Sequence, residues 1–294
     1  MNDAHLTIAN CGLMTLVQDS GRTHFQHLGL AQGGAADGYA FFWANYLLSN
    51  PPSTAVLEIT LGPFEAQFSD DTVIAICGAE QDCTINNSFA ANWSTHRIKA
   101  GDRIKFRRAR EGLRGYLAIK GGWQTPQLLG SRSVVLREKF SGFFGRPIQK
   151  KETLPYKSET TISKWINKSV PSNYIPSFQN PLPLRVIPGF QYRAFSEEAR
   201  RQMTSNSYSV RPDSNRMGYR LQGKAVAWEQ GNIISEGIAY GSVQIPPDGQ
   251  PIVLLNDRQT IGGYPKIGCV RRQDCYQLAQ RRPGQKVIFE FDFE

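Results

Sequence analysis

The stretch PPDGQPIVLLNDRQTIGGYPKIG fills residues 246–268. Its Pro247-Asp248-Gly249 is a tight-turn sequence: proline presets φ, aspartate closes the turn through its own side chain, and glycine accepts left-handed backbone. Residues 251–255, PIVLL, then read as a short buried strand. Polarity returns at once in Asn256, Asp257, Arg258 and Gln259, followed by Gly262, Gly263, Tyr264, Pro265 and Lys266. Working outward, short apolar runs bounded by turn residues recur at 55–61, 72–77, 103–106, 115–120, 184–187 and 286–291. They are rich in Val, Ile, Leu and Phe and edged by Gly, Pro, Asp or Asn, the pattern of a sandwich or barrel. The 27 glycines and 17 prolines supply the turns such a mainly β chain needs.

Few helices interrupt the strands. Asp37 is placed to cap one, and Tyr39, Phe42, Trp43, Tyr46 and Leu47 follow at helical spacing, which predicts a buried aromatic face. Asn50-Pro51 stops it. A second helix is expected from Ser196, with Glu197 and Glu198 at the positive end of its dipole. A third is expected from about Gln273 to Arg281, before Pro283. Between residues 149 and 183, Lys, Ser, Thr, Asn and Pro dominate and apolar content thins. That shift divides the 294 residues into an N-terminal half (1–150), a linker or surface excursion (151–182) and a C-terminal half (183–294).

Composition narrows the function classes. Five cysteines form no C-x-x-C pair and the four histidines lie in the first third, so no metal site is expected, His24 and His27 included. Unpaired thiols, no run near the roughly 20 apolar residues of a membrane span, and no secretory pattern in residues 1–10 point to a cytoplasmic protein. The net charge of +9 is scattered over short clusters without a nucleic-acid-binding signature, which favours small anions or an acidic partner over nucleic acid. Phosphate-loop and nucleophile-elbow motifs are missing.

Three polar, glycine-rich stretches remain: 18–37 with Arg22, 211–223 with Asn215 and Arg216, and 235–270. The last puts a carboxylate, a guanidinium, an amide, a phenol and an ammonium (Asp257, Arg258, Gln259, Tyr264, Lys266) on one loop after a buried strand. Its glycines let backbone N–H groups approach a ligand. Arg258 suits a carboxylate, and Lys266 an anion or, if desolvated, a base. The alternative is a solvated hairpin with incidental charges. For Arg216 and Arg22 the alternative is a structural ion pair.

Taken in order, TLVQDSGR (15–22), QHLG (26–29), GAAD (34–37), LEITLGP (57–63), GYLAIKGGW (115–123), LGSRS (129–133), SNRMGYRLQG (214–223), the 246–268 stretch and RPGQ (282–285) resemble the biotin-dependent carboxyltransferase-like family, home of the allophanate-hydrolase-subunit-2-like proteins. The N-terminal motifs depart from its pattern at Ala31, Gly33, Val134 and Lys151-Glu152. The resemblance implies two cyclophilin-like β-barrel halves with a few short helices. It implies a subunit-1-like partner and, for the oxoprolinase members, a lactam-utilisation A-type subunit. Those members open 5-oxoproline to glutamate with ATP and Mg²⁺. The alternatives in the family are carboxyl transfer from biotin to urea or another amide, and a non-catalytic regulatory partner of a kinase-inhibitor-like protein. No Met-Lys-Met biotin attachment site occurs here. On the oxoprolinase reading, Lys266 and Asp257 would be catalytic, at phosphate or oxyanion and at water or Mg²⁺. Arg216 or Arg258 would take the substrate carboxylate, Asn215 the lactam, and Gln259, Tyr264 and Arg22 further substrate contacts.

Overall fold

The computed structural model describes residues 4–140, 145–159, 165–178, 181–231 and 233–293. The chain divides into two compact units, Met1–Arg22 with Gly33–Ser177 and Thr23–Gln32 with Phe178–Glu294.

The first unit runs β1 (Ala4–Asn10), β2 (Met14–Gln18), helix α1 (Gly38–Leu47), β3 (Val56–Thr60), β4 (Phe64–Phe68), β5 (Thr72–Glu80), β6 (Cys83–Ile85), β7 (Ser88–Ala90), β8 (Ser94–Ile98), β9 (Arg103–Phe106), β10 (Glu111–Ile119) and β11 (Thr153–Tyr156). Two antiparallel sheets result, β11-β1-β4-β9-β6-β7 and β2-β3-β10-β5-β8. β5 is apolar at nearly every position because both its faces are covered. Ile74 and Ile76 join one core with Leu57, Leu117 and Ile119, while Val73, Ala75 and Cys77 join another with Tyr116, Ala118 and residues of α1. β1 has one covered face and alternates, burying Ala4, Leu6 and Ile8 and exposing His5.

α1 begins as expected: the Asp37 carboxylate accepts hydrogen bonds from the backbone N–H groups of Tyr39 (3.0 Å) and Ala40 (3.1 Å). Its expected buried face is a correction. Ala40, Phe41, Ala44, Asn45 and Leu47 turn inward, while Phe42 and Tyr46 are 48% and 61% exposed. Two faces of this helix satisfy helical spacing, and the sheet chooses between them. The surface beneath already carries the bulky Tyr116 and Trp93, so the small Ala40 and Ala44 let the helix approach. The outer aromatics pack on each other, Phe42 on Tyr46 at 5.6 Å and Trp43 on Tyr46 at 5.4 Å between ring centroids.

The described residues between 151 and 182 carry more structure than their composition suggests. β11 pairs with β1, Thr95 N–H donates to Lys168 O and Val170 N–H to Trp93 O (both 2.8 Å), and Tyr156, Val170 and Phe178 are buried. A few well-placed apolar side chains dock a segment whose average reads as a linker. Residues 160–164 and 179–180 lie outside the described residues.

The second unit runs β12 (Leu182–Pro188), α2 (Glu197–Ser205), β13 (Ser207–Val210), β14 (Gly218–Gln222), β15 (Glu236–Gly237), β16 (Ser242–Gln244), β17 (Ile252–Leu254), β18 (Ile261–Gly262), β19 (Lys266–Val270), α3 (Arg272–Leu278) and β20 (Lys286–Phe291). Seven strands close into a barrel, β12-β19-β16-β17-β14-β13-β20, sealed by the parallel pairing of β12 with β20. Leu184, Val186, Tyr208, Leu221, Val243, Val253 and Phe289 fill its core. α2 starts at Ser196 as read, the Ser196 hydroxyl oxygen accepting from the Ala199 N–H at 3.2 Å. The protein is mainly β, with few short helices, as its sequence implied. All five cysteines are free, and among the described residues no helix is long and apolar enough to cross a membrane.

The outward turn of the α1 aromatics sets an expectation for stability. Phe42→Ser should change the unfolding free energy by no more than about 0.5 kcal/mol, whereas Phe41→Ala should cost about 3–5 kcal/mol. Urea denaturation of the two variants checks the contrast.

Candidate functional site

Two of the polar stretches meet in the second unit through one buried ion pair. Arg216 Nε and Nη2 each donate to the Asp257 carboxylate at 2.9 Å, and the two side chains are 4% and 5% exposed. The backbone repeats the join: Asp257 N–H donates to Arg216 O at 3.0 Å and Leu255 N–H to Met217 O at 2.9 Å. The segment entering β14 is thereby fixed to the loop leaving β17.

Beside this joint lies a cavity of about 450 Å³ whose lining includes Asn215, Met217, Arg220, Gln244, Gln259 and Tyr264. Ile252 and Leu254 of its wall pack with Ile238 in a small apolar cluster. Gln244, on β16, is 1% exposed, and its Nε2 finds no hydrogen-bond partner among the described residues. Gly262 packs closely against it. A Cβ built there would stand 3.1 Å from Gln244 Nε2, 3.7 Å from Gln259 Nε2 and 2.9 Å from Ile238 Cδ1. Arg211 and Arg220 also line the cavity and share the Asp213 carboxylate, at 3.0 Å and 3.6 Å. Asp248 and Gln250 complete the polar lining.

The residues singled out in the sequence separate into two groups. Asn215, Gln259 and Tyr264 line the cavity; the Asn215 side chain also accepts from Met217 N–H at 2.8 Å. The charged ones are engaged elsewhere. Arg216 and Asp257 hold each other. Arg258 is buried and donates from Nε to Ile238 O (3.1 Å) and from Nη1 to Leu255 O (3.2 Å), with its guanidinium 5.8 Å from the centre of the Tyr240 ring. Burial pulls the Arg258 pKa below the usual guanidinium value. Lys266 Nζ pairs with Glu236, and its backbone N–H donates to Gln191 Oε1 at 2.6 Å. Arg22 belongs to the first unit, where Nη2 donates to Ser133 O at 2.5 Å and the guanidinium lies 5.7 Å from the centre of the Phe140 ring. Gln244 was not singled out. Its signal was a carboxamide flanked by the apolar Val243 and Ile245.

The carboxylate read in the sequence as holding water or Mg²⁺ is already taken. Asp257 is engaged by a guanidinium, and no three His, Cys, Asp or Glu residues gather among the described residues. What the cavity offers is neutral hydrogen bonding over an apolar wall, with charge in the Arg211–Asp213–Arg220 group.

The second unit is thus a closed β-barrel with a polar cavity beside its buried ion pair. The chain belongs to the family described as the carboxyltransferase domain, subdomain A and B, whose model matches residues 28–291. It is 36% identical to the C subunit of the 5-oxoprolinase of Escherichia coli (strain K12), over 97% of this chain and 90% of that one. The crystal structure of TTHA0988 in space group P212121 superposes with a TM-score of 0.88 at 31% identity, over 98% of this chain and 56% of that one. The K. lactis urea amidolyase superposes at 0.91 with 26% identity, over 98% of this chain but 19% of that one.

Two expectations follow from the geometry. Arg216→Ala leaves the Asp257 carboxylate buried without its guanidinium and should cost about 3–5 kcal/mol, whereas Arg216→Met with Asp257→Leu should recover most of that loss in thermal unfolding. Glu236 is held below its usual range, first by the hydrogen bond from Lys266. Its folded pKa is the lower one, so the pair's contribution is present above the unfolded value of about 4.3 and is lost as pH falls through the folded one. Because Glu236 is 43% exposed, Glu236→Gln should cost under about 1 kcal/mol at pH 7, a difference that closes in acid-titrated unfolding curves.

Proposed function

We propose that this chain is the C-type subunit of an ATP-dependent 5-oxoprolinase complex converting 5-oxoproline to glutamate, with the second-unit cavity holding the lactam. The supporting observation is coverage in both directions. The alignment, at 36% identity, takes in 97% of this chain and 90% of its E. coli relative. Ring opening adds water to the lactam carbonyl and breaks its C–N bond. The nitrogen takes a proton and leaves as an amine, with a carboxylate in place of the amide. This chain's part is to bind and orient the ring through neutral amides and to keep water from its apolar side. ATP with Mg²⁺ belongs on the partner side, a subunit-1-like (B-type) protein and a lactam-utilisation A-type subunit, in the cytoplasm.

A second reading is carboxyl transfer from biotin, carried on another chain, to urea or a similar amide. The TM-score of 0.91 with a urea amidolyase favours it, as does the carboxyltransferase description of the family. Both readings place a small amide in the cavity.

The test is ADP release by the chain co-expressed with its B-type and A-type partners, measured with 5-oxoproline, with urea and without substrate. The proposal expects release that depends on 5-oxoproline and needs no biotin. Release that follows urea and requires a biotinylated carrier would move the assignment to carboxyl transfer. Tight association without turnover on either would make the chain a regulatory partner.

A further inference from the structure

We infer that Gln244, assisted by Gln259, reads the cis-amide edge of a small neutral ring, making it the residue that sets specificity for lactams. The inference deepens the proposed function and rests on it only for 5-oxoproline as the natural ligand. Gln244 sits in β16 between Val243 and Ile245, is 1% exposed, and keeps a buried Nε2 with no partner among the described residues. A buried donor without an acceptor destabilises a folded chain, and a ligand carbonyl in the cavity would remove that penalty. A carboxamide shows a carbonyl oxygen and an N–H side by side on one edge. A lactam is locked cis by its ring and shows the complementary pair, so the two groups join through two hydrogen bonds in one plane. A trans peptide, whose N–H and C=O point in opposite directions, does not match this edge.

The surroundings agree with a ring rather than a chain. Gln244 and Gln259 both line the cavity, and Gly262 packs closely on the Gln244 amide, where a Cβ would stand 3.1 Å from Nε2. Ile252, Leu254 and Met217 give the cavity an apolar wall for ring methylenes. A carboxylate pressed against that wall would lose hydration without gaining a counter-charge. An acidic substituent on the ring must therefore turn toward Arg220 and Arg211, which share a single carboxylate, Asp213.

The experiment uses the full chain with ¹⁵N-labelled glutamine and follows side-chain amide resonances during titration with 2-pyrrolidone, a neutral lactam. The Gln244 signal is assigned by its loss in Gln244→Met. Saturable shifts of the Gln244 and Gln259 signals are expected, with binding at least about tenfold weaker for N-methyl-2-pyrrolidone, which lacks the N–H, and for urea, which lacks the ring carbons. Gln244→Met should abolish 2-pyrrolidone binding while raising the unfolding temperature, a combination that general damage to the fold does not produce. No shift at saturating 2-pyrrolidone, equal affinity for the N-methyl compound, or undiminished binding to Gln244→Met would each overturn the inference. In the assembled complex the two claims separate. If 5-oxoproline drives ADP release and Gln244→Met keeps the parent KM, the inference falls and the proposed function stands. If 5-oxoproline drives nothing while 2-pyrrolidone still binds through Gln244, the proposed function falls and the inference stands.

Discussion

The Arg216–Asp257 pair is the constraint on which the second unit's architecture turns. Two opposite charges lie in an interior where either alone would cost several kcal/mol, and both guanidinium-to-carboxylate hydrogen bonds are 2.9 Å long. That geometry ties the approach to β14 to the exit from β17. Asn215 precedes Arg216 and Gln259 lies two residues after Asp257, so the positions of both on the cavity wall follow from a contact neither makes. Here the buried charges build the scaffold, and Asn215 and Gln259 beside them face the opening.

This division of labour explains which parts of the chain were legible in its sequence. Strand positions were, because short apolar runs between turn residues leave few other options: residues 103–106 and 286–291 are strands β9 and β20 with the boundaries read from the sequence. The helix starts at Asp37 and Ser196 were legible for a local reason, a side-chain oxygen beside unsatisfied N–H groups. The buried face of α1 was not, because aromatic and small-residue faces both keep helical period and only the sheet beneath decides between them. The docking of residues 151–159 and 165–177 was missed because a composition average hides single anchors such as Tyr156 and Val170.

At the site, two of the stretches singled out in the sequence meet, but the sequence reading ranked their residues by charge. A lone sequence cannot show that Asp257 and Arg216, 41 residues apart, satisfy each other, or that Lys266 meets Glu236 from another strand. Gln244 ran the other way: an unremarkable residue type became informative only when burial left its amide nitrogen without an acceptor. Burial without satisfaction, rather than formal charge, marks this wall of the cavity as built for something else.

Amide hydrolysis needs charge stabilisation where the oxyanion develops, and neutral carboxamides supply little of it compared with a cation or a metal. A wall of Gln244, Gln259, Tyr264 and aliphatic side chains is suited to recognising an amide and poor at activating one. On the proposed reading that split is the reason for an enzyme built from several chains. This chain contributes selectivity for the cis-amide ring, and the strongly charged chemistry of ATP is brought by its partners. Confining recognition of the amide to neutral groups has a physical advantage in such an arrangement. The ring amide can be held without engaging Arg211 and Arg220, which are left for an acidic substituent, so the ring and its charge are read on separate parts of the cavity.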